Sequence, residues 1–492
     1  MDLFSYWLPF ARFLLGFVAV VFFLSGLDEL FIDLNFIFRR LFRRLFVLPK
    51  HKRLSYGDRL AVPEQSIAIM VPAWDEAAVI RRMVEHTVRA VEYSNYHIFV
   101  GAYPNDPATQ REVEEICQSF PNVHPTICLK DGPTNKADCL NWIYRSILRF
   151  ERDHNVRFQI FVMEDSEDVV HPLCLKLFNY LIPSKDMVQL PVFPLEGNSL
   201  KRSSGHYIGE FAESHSKDLW VRERLAQGIP GAGVGCAFSR RAMRLAAHPS
   251  DRPFNIHSQT EDYEFGLRLH RDNLKGIFVS QRLPFRGSTR HHARVAEYVA
   301  VRGYFPPTFR QAVKQKTRWV LGITLQGWSN LGWRGGLWTR YMFFRDRKTL
   351  LTSQVNILGY VLGLTQFGLW LAESLTSDAR RFPSLVPQGD MVWYLLAMDT
   401  AFVVWRIGWR FGSVYRLYGW GQAALSVPRL IWANIINACA VYRALYFYGR
   451  FRVTGTLPWE KTAHAFPEEP DEPWFAGERP NVSTRPVPPA VH

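Results

Sequence analysis

The sequence predicts an α/β domain held between membrane-crossing helices, and three observations carry that expectation. Between residues 61 and 300, short apolar runs alternate with polar, helix-like stretches, the rhythm of strands joined through helices. Around that region lie apolar runs at 3–27, 353–375 and 391–407, each long enough to cross a bilayer. The composition is 48% apolar and 14% aromatic over 492 residues, which suits a packed protein with a membrane part and excludes a disordered chain.

The first apolar run is interrupted by Arg12 and followed by Asp28 and Glu29, then by Arg39, Arg40, Arg43, Arg44, Lys50, Lys52 and Arg53. A cleaved leader has its basic residues before the apolar run and a small-residue cleavage site after it. Residues 1–60 therefore read as an uncleaved anchor with its N-terminus outside, whose basic segment meets lipid headgroups on the cytoplasmic side. The formal charge of +14 calls for a negatively charged partner, and its position behind the anchor favours membrane lipid. No nucleic-acid module accompanies that charge, so no nucleic acid is expected. The six cysteines form no C-x-x-C pair, which fits a reducing cytoplasm.

Within residues 61–300 the first strand, 66–72, ends on Pro72, and Asp75-Glu76 open a helix reaching residue 90. The second, 97–101, runs into the turn Tyr103-Pro104-Asn105-Asp106-Pro107, and a helix covers 112–118. A third, 158–163, runs directly into Glu164-Asp165-Ser166-Glu167-Asp168. Ligands of open parallel sheets bind outside the carboxyl ends of strands, so these three ends converge on one crevice suited to a nucleotide. Residues 301–350 read as interfacial helices and 351–456 as membrane-spanning or interfacial helices. Within the latter, 425–448 carries Arg429, Asn434, Asn437 and Arg443 and favours an interfacial helix over a fourth span. Residues 457–492, rich in Pro and Glu, read as a disordered tail.

Three patterns carry chemistry. Asp165 and Glu167, two apart at a strand end, project oxygen ligands suited to Mg²⁺ or Mn²⁺, and Asp168 is an alternative to Glu167; the plainer reading is an acidic turn at a helix N-terminus. Thr260-Glu261-Asp262 offers Asp262 as a general base oriented by its two neighbours, or merely caps a helix whose first turn is acidic. Gln315-Lys316-Thr317-Arg318-Trp319 is a Q-x-x-R-W box on an amphipathic stretch, which equally describes a basic membrane-surface helix with a Trp anchor. His291-His292 has no metal-site spacing, and the glycine loop 231–235 lacks the strand-turn-helix setting of a dinucleotide fingerprint.

Taken in order, Val71-Pro72-Ala73-Trp74-Asp75-Glu76, Lys136-Ala137-Asp138 with Leu140-Asn141, the Asp165–Asp168 cluster, Gly231–Cys236, Thr260-Glu261-Asp262 and the Q-x-x-R-W box resemble the membrane-embedded, processive family 2 glycosyltransferases. Their bacterial inner-membrane branch also shares the Tyr103–Asp106 turn and the His171-Pro172 that follows the acids. The resemblance covers about residues 66 to 330 and implies a cytoplasmic GT-A domain and an inverting transfer from a nucleotide sugar, a UDP-sugar first, to a growing glycan or lipid-linked acceptor. It implies Pro72, Glu76, Asp106, Lys136, Asp138, Asp165, Gln315, Arg318 and Trp319 at the nucleotide sugar, with Asp106 on the nucleoside. It implies Gly233, Gly235, Cys236 and Trp319 at the acceptor, Asp165, Glu167 and Asp168 at the metal, and Asp262 with Glu261 and Thr260 at the reaction. Glu167 departs from the family's usual second Asp. The box favours polymerisation, and three spans look few for a polysaccharide channel, so self-association or an export or outer-membrane partner is implied. Two alternatives stay open: a single-addition enzyme acting on a lipid carrier, and a phage-receptor or scaffold protein with an inactive transferase domain.

Overall fold

The computed structural model describes residues 3–50, 62–197, 202–282, 298–375, 385–386, 388–457 and 464–467. The chain enters through α1 (Leu3–Phe42), which continues in a π turn (Arg43–Val47) and a 3₁₀ turn (Leu48–Lys50). The helix thus runs well past the expected anchor end at residue 27, because no glycine or proline interrupts residues 27–48 and the arginines there are good helix formers.

The central domain then follows in order: β1 (Ile67–Pro72), α2 (Ile80–Ala90), β2 (Tyr96–Ala102), α3 (Pro107–Ser119), β3 (Val123–Ile127), α4 (Lys136–His154), β4 (Ile160–Met163), α5 (Cys174–Leu181), β5 (Met187–Gln189) and β6 (Val192–Pro194). Next come α6 (Arg202–Glu213), a π turn (Ser214–Asp218), α7 (Leu219–Ala226), β7 (Cys236–Ser239), α8 (Arg240–Ala247), α9 (Glu261–Arg271), β8 (Gly276–Phe278) and β9 (Val301–Gly303). Seven strands form one sheet in the order β3-β2-β1-β4-β7-β5-β8, with β7 antiparallel to its neighbours β4 and β5 and every other pairing parallel. A second, parallel pair joins β6 to β9.

Residues 67–71 of β1 are all buried, as a strand covered on both faces must be. Alternation divides them: Ile67, Ile69 and Val71 pack with Met83 and Val84 of α2, whereas Ala68 and Met70 pack with Leu140 and Ile143 of α4. The register sets Pro72 level with Gly101 and Met70 level with Met163, so the segments after β1, β2 and β4 emerge along one rim. An isolated bridge between Val169 and Arg302 fastens the acidic loop to β9.

After the sheet the chain forms α10 (Phe309–Trp319), a π segment (Val320–Gln326), α11 (Gly327–Leu331), α12 (Leu337–Arg347), α13 (Thr349–Leu375) and α14 (Met391–Thr454). Gly419, at φ 81° and ψ −173°, breaks α14 into two helices. Three helical stretches, Trp7–Lys50, α13 and α14, are long and apolar enough to cross a membrane. Residues 425–448 lie in the second part of α14, which explains their polarity: Arg429 is buried and donates to Gln422 Oε1 at 2.7 Å, and Trp432 Nε1 donates to Ser203 Oγ on α6 at 3.1 Å.

Candidate active site

The acids after β4 gather around a single lysine. Glu164, 1% exposed, accepts the Gly235 N–H at 3.0 Å through Oε2, and its Oε1 has no hydrogen-bond partner among the described residues. Asp168 folds back so that its Oδ2 accepts the Asp165 N–H at 2.6 Å. Lys136 stands at the start of α4, where Asn135 caps the helix by accepting the Asp138 N–H at 2.8 Å. Its Nζ lies 2.5 Å from Asp165 Oδ1 and donates to Gly233 O at 2.9 Å.

Glu261 and Asp262, in the first turn of α9, approach the same lysine from the other side. Burial works against the charge on Lys136, yet Asp165, Glu261 and Asp262 together hold its pKa above the ordinary range. The carboxylates show the opposite balance. Burial pushes Glu164 and Glu261 up to about 8 and Glu167 up to about 7, with neighbouring acids adding to the shift. Asp168 and Asp262 are raised chiefly by burial, Lys136 opposing the rise at Asp262.

Two glycines let these pieces approach. Gly233 has φ +82°, and a Cβ there would stand 2.8 Å from Asp262 Oδ2 and 3.2 Å from Lys136 Nζ. Gly322 lies in the π segment after α10, where a Cβ would collide with the side chain of Thr260. The widened π turn thereby brings the end of α10 against the residue that opens α9.

The last wall is aromatic. Trp319 meets Tyr207 edge-on at 5.9 Å and Phe211 at 6.1 Å, while Lys316 pairs with Glu210 and sits 5.4 Å over the Trp319 ring. Pro72, Glu76, Lys136, Asp165, Glu167, Asp168, Gly233, Thr260, Glu261, Asp262, Gln315, Arg318 and Trp319 all line one cavity. Thirteen of the seventeen residues expected at the site are thus brought together.

Four are not. Asp106 caps α3 by accepting the Thr109 N–H at 3.2 Å, and its other oxygen accepts the Asp75 N–H at 2.6 Å, so both are engaged in shaping the rim. Asp138 lies behind Lys136 in the first turn of α4, where its backbone N–H takes the Asn135 cap. Gly235, in the bend before β7, donates to Glu164, and Cys236 begins β7 with its thiol donating to Gln189 Oε1 at 2.7 Å, so neither lines the cavity wall.

Other lining residues escaped the sequence reading. Trp74 and Tyr103, which stand in the quoted motifs without a role of their own, meet edge-on at 5.1 Å, and the Tyr103 hydroxyl lies 2.7 Å from Thr134 Oγ1; each lies within two residues of a strand end, which is the signal that marks them. Tyr304 and Phe305 follow β9, a strand too short to stand out. His464 carries no such signal. Its Nδ1 lies 2.7 Å from Glu76 Oε1 and 3.2 Å from Glu167 Oε2. The expected disordered tail at 457–492 is corrected here for residues 464–467: Phe466 is 7% exposed and packs into the core under β1, 5.9 Å from the ring of His86. The flanking tail residues 458–463 and 468–492, and His291-His292, lie outside the described residues.

Among the described residues no three His, Cys, Asp or Glu side chains close into a metal cage. A hard divalent cation does not need one, since it keeps water and phosphate oxygens among its ligands. The raised carboxylates and the unpartnered Glu164 Oε1 fit such a cation.

Residues 160–375 match the family model described as glycosyl transferase family group 2. Over those residues the chain is similar to family 2 glycosyltransferases. It is 42% identical over 474 residues to bacteriophage adsorption protein B of Escherichia coli K12, and equally to bacteriophage N4 adsorption protein B of Escherichia coli O157:H7. Each alignment takes in 95% of this chain and 64% of the relative, so the chain spans less than two thirds of the length of the curated relatives it matches. In fold it is similar to a mannosyltransferase of Pyrobaculum calidifontis, solved in complex with GDP-Man and Mn²⁺, with TM-score 0.50 and 13% identity over 88% of this chain and 99% of that one. The shared architecture is the GT-A fold.

Proposed function

We propose that the protein is an inverting glycosyltransferase of the bacterial inner membrane, its GT-A domain cytoplasmic, which moves a sugar from a nucleotide sugar, a UDP-sugar first, onto a growing glycan. The observation that carries this reading is the placement of one half-buried carboxylate, Asp262, near Lys136 and opposite an acid cluster at the end of β4. An acceptor hydroxyl in the cavity gives its proton to Asp262 as its oxygen attacks the anomeric carbon. The bond from that carbon to the diphosphate breaks, the electron pair leaves with the diphosphate, and one displacement inverts the centre. Burial makes the Asp262 carboxylate a stronger proton acceptor than an exposed one, while Lys136 keeps it ionised.

Asp165 and Glu167 would hold Mg²⁺ or Mn²⁺, with Asp168 already turned inward onto the Asp165 amide. When bound, the cation neutralises charge on the departing diphosphate. Lys136 and Arg318 serve the same diphosphate, Pro72 and Glu76 line the nucleoside side, and Trp319 offers its face to an acceptor sugar ring. The Q-x-x-R-W box supports polymerisation, the three long apolar helices support membrane residence, and the basic segment of α1 supports contact with anionic lipid.

The test is nucleoside diphosphate release by the detergent-solubilised protein, offered UDP- and GDP-sugars with Mg²⁺ or Mn²⁺ and membranes as acceptor. Release with one donor, abolished by EDTA and reduced about a thousandfold in Asp262→Asn, is expected. Equal release by Asp262→Asn would refute the assignment of the base. Product length then separates polymerisation from single addition.

A further inference from the structure

Helix α12 is fastened on several sides at once. Arg345, Asp346 and Arg347 at its end and the C-cap Lys348 are consecutive, and helical geometry sends neighbours to different faces. Arg345 and Lys348 bond Asp28 and Glu29 of α1, Lys348 Nζ lying 2.8 Å from Glu29 Oε1. Arg347 donates to the carbonyls of Gly327 at 3.1 Å and Gly332 at 2.7 Å, with its guanidinium 4.3 Å from the Trp333 ring centroid. Asp346, between them, is left facing the transferase domain.

There it meets two partners. Arg222 of α7 grips it with both prongs, Nη1 to Oδ1 at 2.7 Å and Nη2 to Oδ2 at 2.9 Å. Tyr263 Oη donates to the same Oδ2 at 2.5 Å, and Arg222 lies over the Tyr263 ring at 5.9 Å. Arg222 is 8% and Tyr263 6% exposed, so these bonds act in a water-poor setting where they hold geometry firmly. Tyr263 is the residue after Asp262.

Glu264 ties the first turn of α9 by accepting from Asn255 and Asn330 at 2.9 Å, but nearer the base Thr260, at the N-cap, makes no side-chain capping bond and its buried hydroxyl has no partner among the described residues. The backbone link near the base is Gly231 N–H to Asp262 O at 3.2 Å. A carboxylate about 5 Å from a helix axis moves close to 1 Å when the helix turns by about 10°, and a displacement of about 1 Å costs about a hundredfold in rate.

We propose that Asp346, with Arg222 and Tyr263, is a positioning clamp that fixes the rotation of α9 and so aims Asp262 at the acceptor hydroxyl. The clamp residues do not touch substrate; they act through Asp262. The inference rests on the reading of Asp262 as the general base.

The experiment compares the full chain with Tyr263→Phe, Asp346→Asn, Asp346→Glu and the double variant Tyr263→Phe/Asp346→Asn. Measured are kcat and KM for the nucleotide sugar, thermal melting, and binding of the nucleoside diphosphate with Mn²⁺. Expected is a fall in kcat of about tenfold for Tyr263→Phe and up to about a hundredfold for Asp346→Asn, with donor KM and diphosphate binding within about twofold. Asp346→Glu restores part of kcat, and the double variant loses less than the product of the two single losses. The clamp is overturned if Tyr263→Phe keeps wild-type kcat, if KM rises in step as kcat falls, or if the two losses multiply. Tyr263→Phe removes one oxygen and carries the test should Asp346→Asn fail to fold. Asp262→Asn is run beside them: full turnover by that variant refutes the base itself, whereas a dead Asp262→Asn beside an unimpaired Tyr263→Phe refutes the clamp alone.

Discussion

Two groups of buried charge in this molecule follow opposite arithmetic. Where α1 meets α6, α12 and α14, Asp28, Glu29, Asp33, Glu213 and Asp218 face Lys217, Arg345, Lys348, Arg406 and Arg410, five acids against five bases. In the cavity, Glu76, Glu164, Asp165, Glu167, Asp168, Glu261 and Asp262 face Lys136, Arg318 and His464 among the described residues. The first group is neutralised by folding alone, and each charge finds its partner inside the chain. The second is left with surplus negative charge, and its carboxylates respond by holding protons more tightly. A folded protein tolerates such a surplus where a cation or a cationic transition state is to come. The imbalance, more than the burial, distinguishes a reacting site from a structural joint.

Removing charge from each group should therefore have opposite consequences. Glu167→Gln is expected to lower diphosphate release about a thousandfold, while raising the melting temperature in EDTA because a buried carboxylate crowded by Asp165 and Glu76 is gone. A lower melting temperature without metal would break the comparison. Lys217→Met, in the balanced group, takes from Asp33 the cation it meets at 2.5 Å, while Glu213 keeps Arg410 at 2.8 Å, and should cost about 3–5 kcal/mol of stability. Chemical denaturation measures it, and the metal dependence of the remaining activity should be unchanged. His215 supplies a smaller reference outside both groups. Its Nδ1 accepts the Val192 N–H at 2.9 Å, and burial lowers its pKa from 6.5 to about 3. As pH falls below the unfolded value, the unfolded chain takes a proton that the folded one refuses. Stability then declines with pH, by on the order of 2 kcal/mol near about pH 5. His215→Gln should flatten that slope in melting curves taken across the window.

Much of the sheet was legible because its strands are buried on both faces and announce themselves as apolar runs: 66–72 became Ile67–Pro72, and 97–101 became Tyr96–Ala102. The edge strand β3 was not, since Pro125 sits in its middle, a residue that only an edge tolerates. Strands β5 to β9, three or four residues each, are shorter than any periodicity can register. In the site, the acids, Lys136 and the Q-x-x-R-W box were visible as local patterns. Asp106 was visible too, but sequence does not show that a helix end and the Asp75 amide take both its oxygens. The clamp residues Arg222, Tyr263 and Asp346 belong to three helices far apart in the chain, and no spacing rule connects them.

The ring of His464 reaches Glu76 across 388 positions of sequence. Everything between them, including α13 and both parts of α14, must be synthesised before that contact forms. The cavity is thus finished late in biogenesis: a nascent chain with its sheet already folded still lacks one of the three groups that offset the acids. A chain that stops short of His464 therefore keeps the sheet and the acids but not the imidazole that meets Glu76 and Glu167.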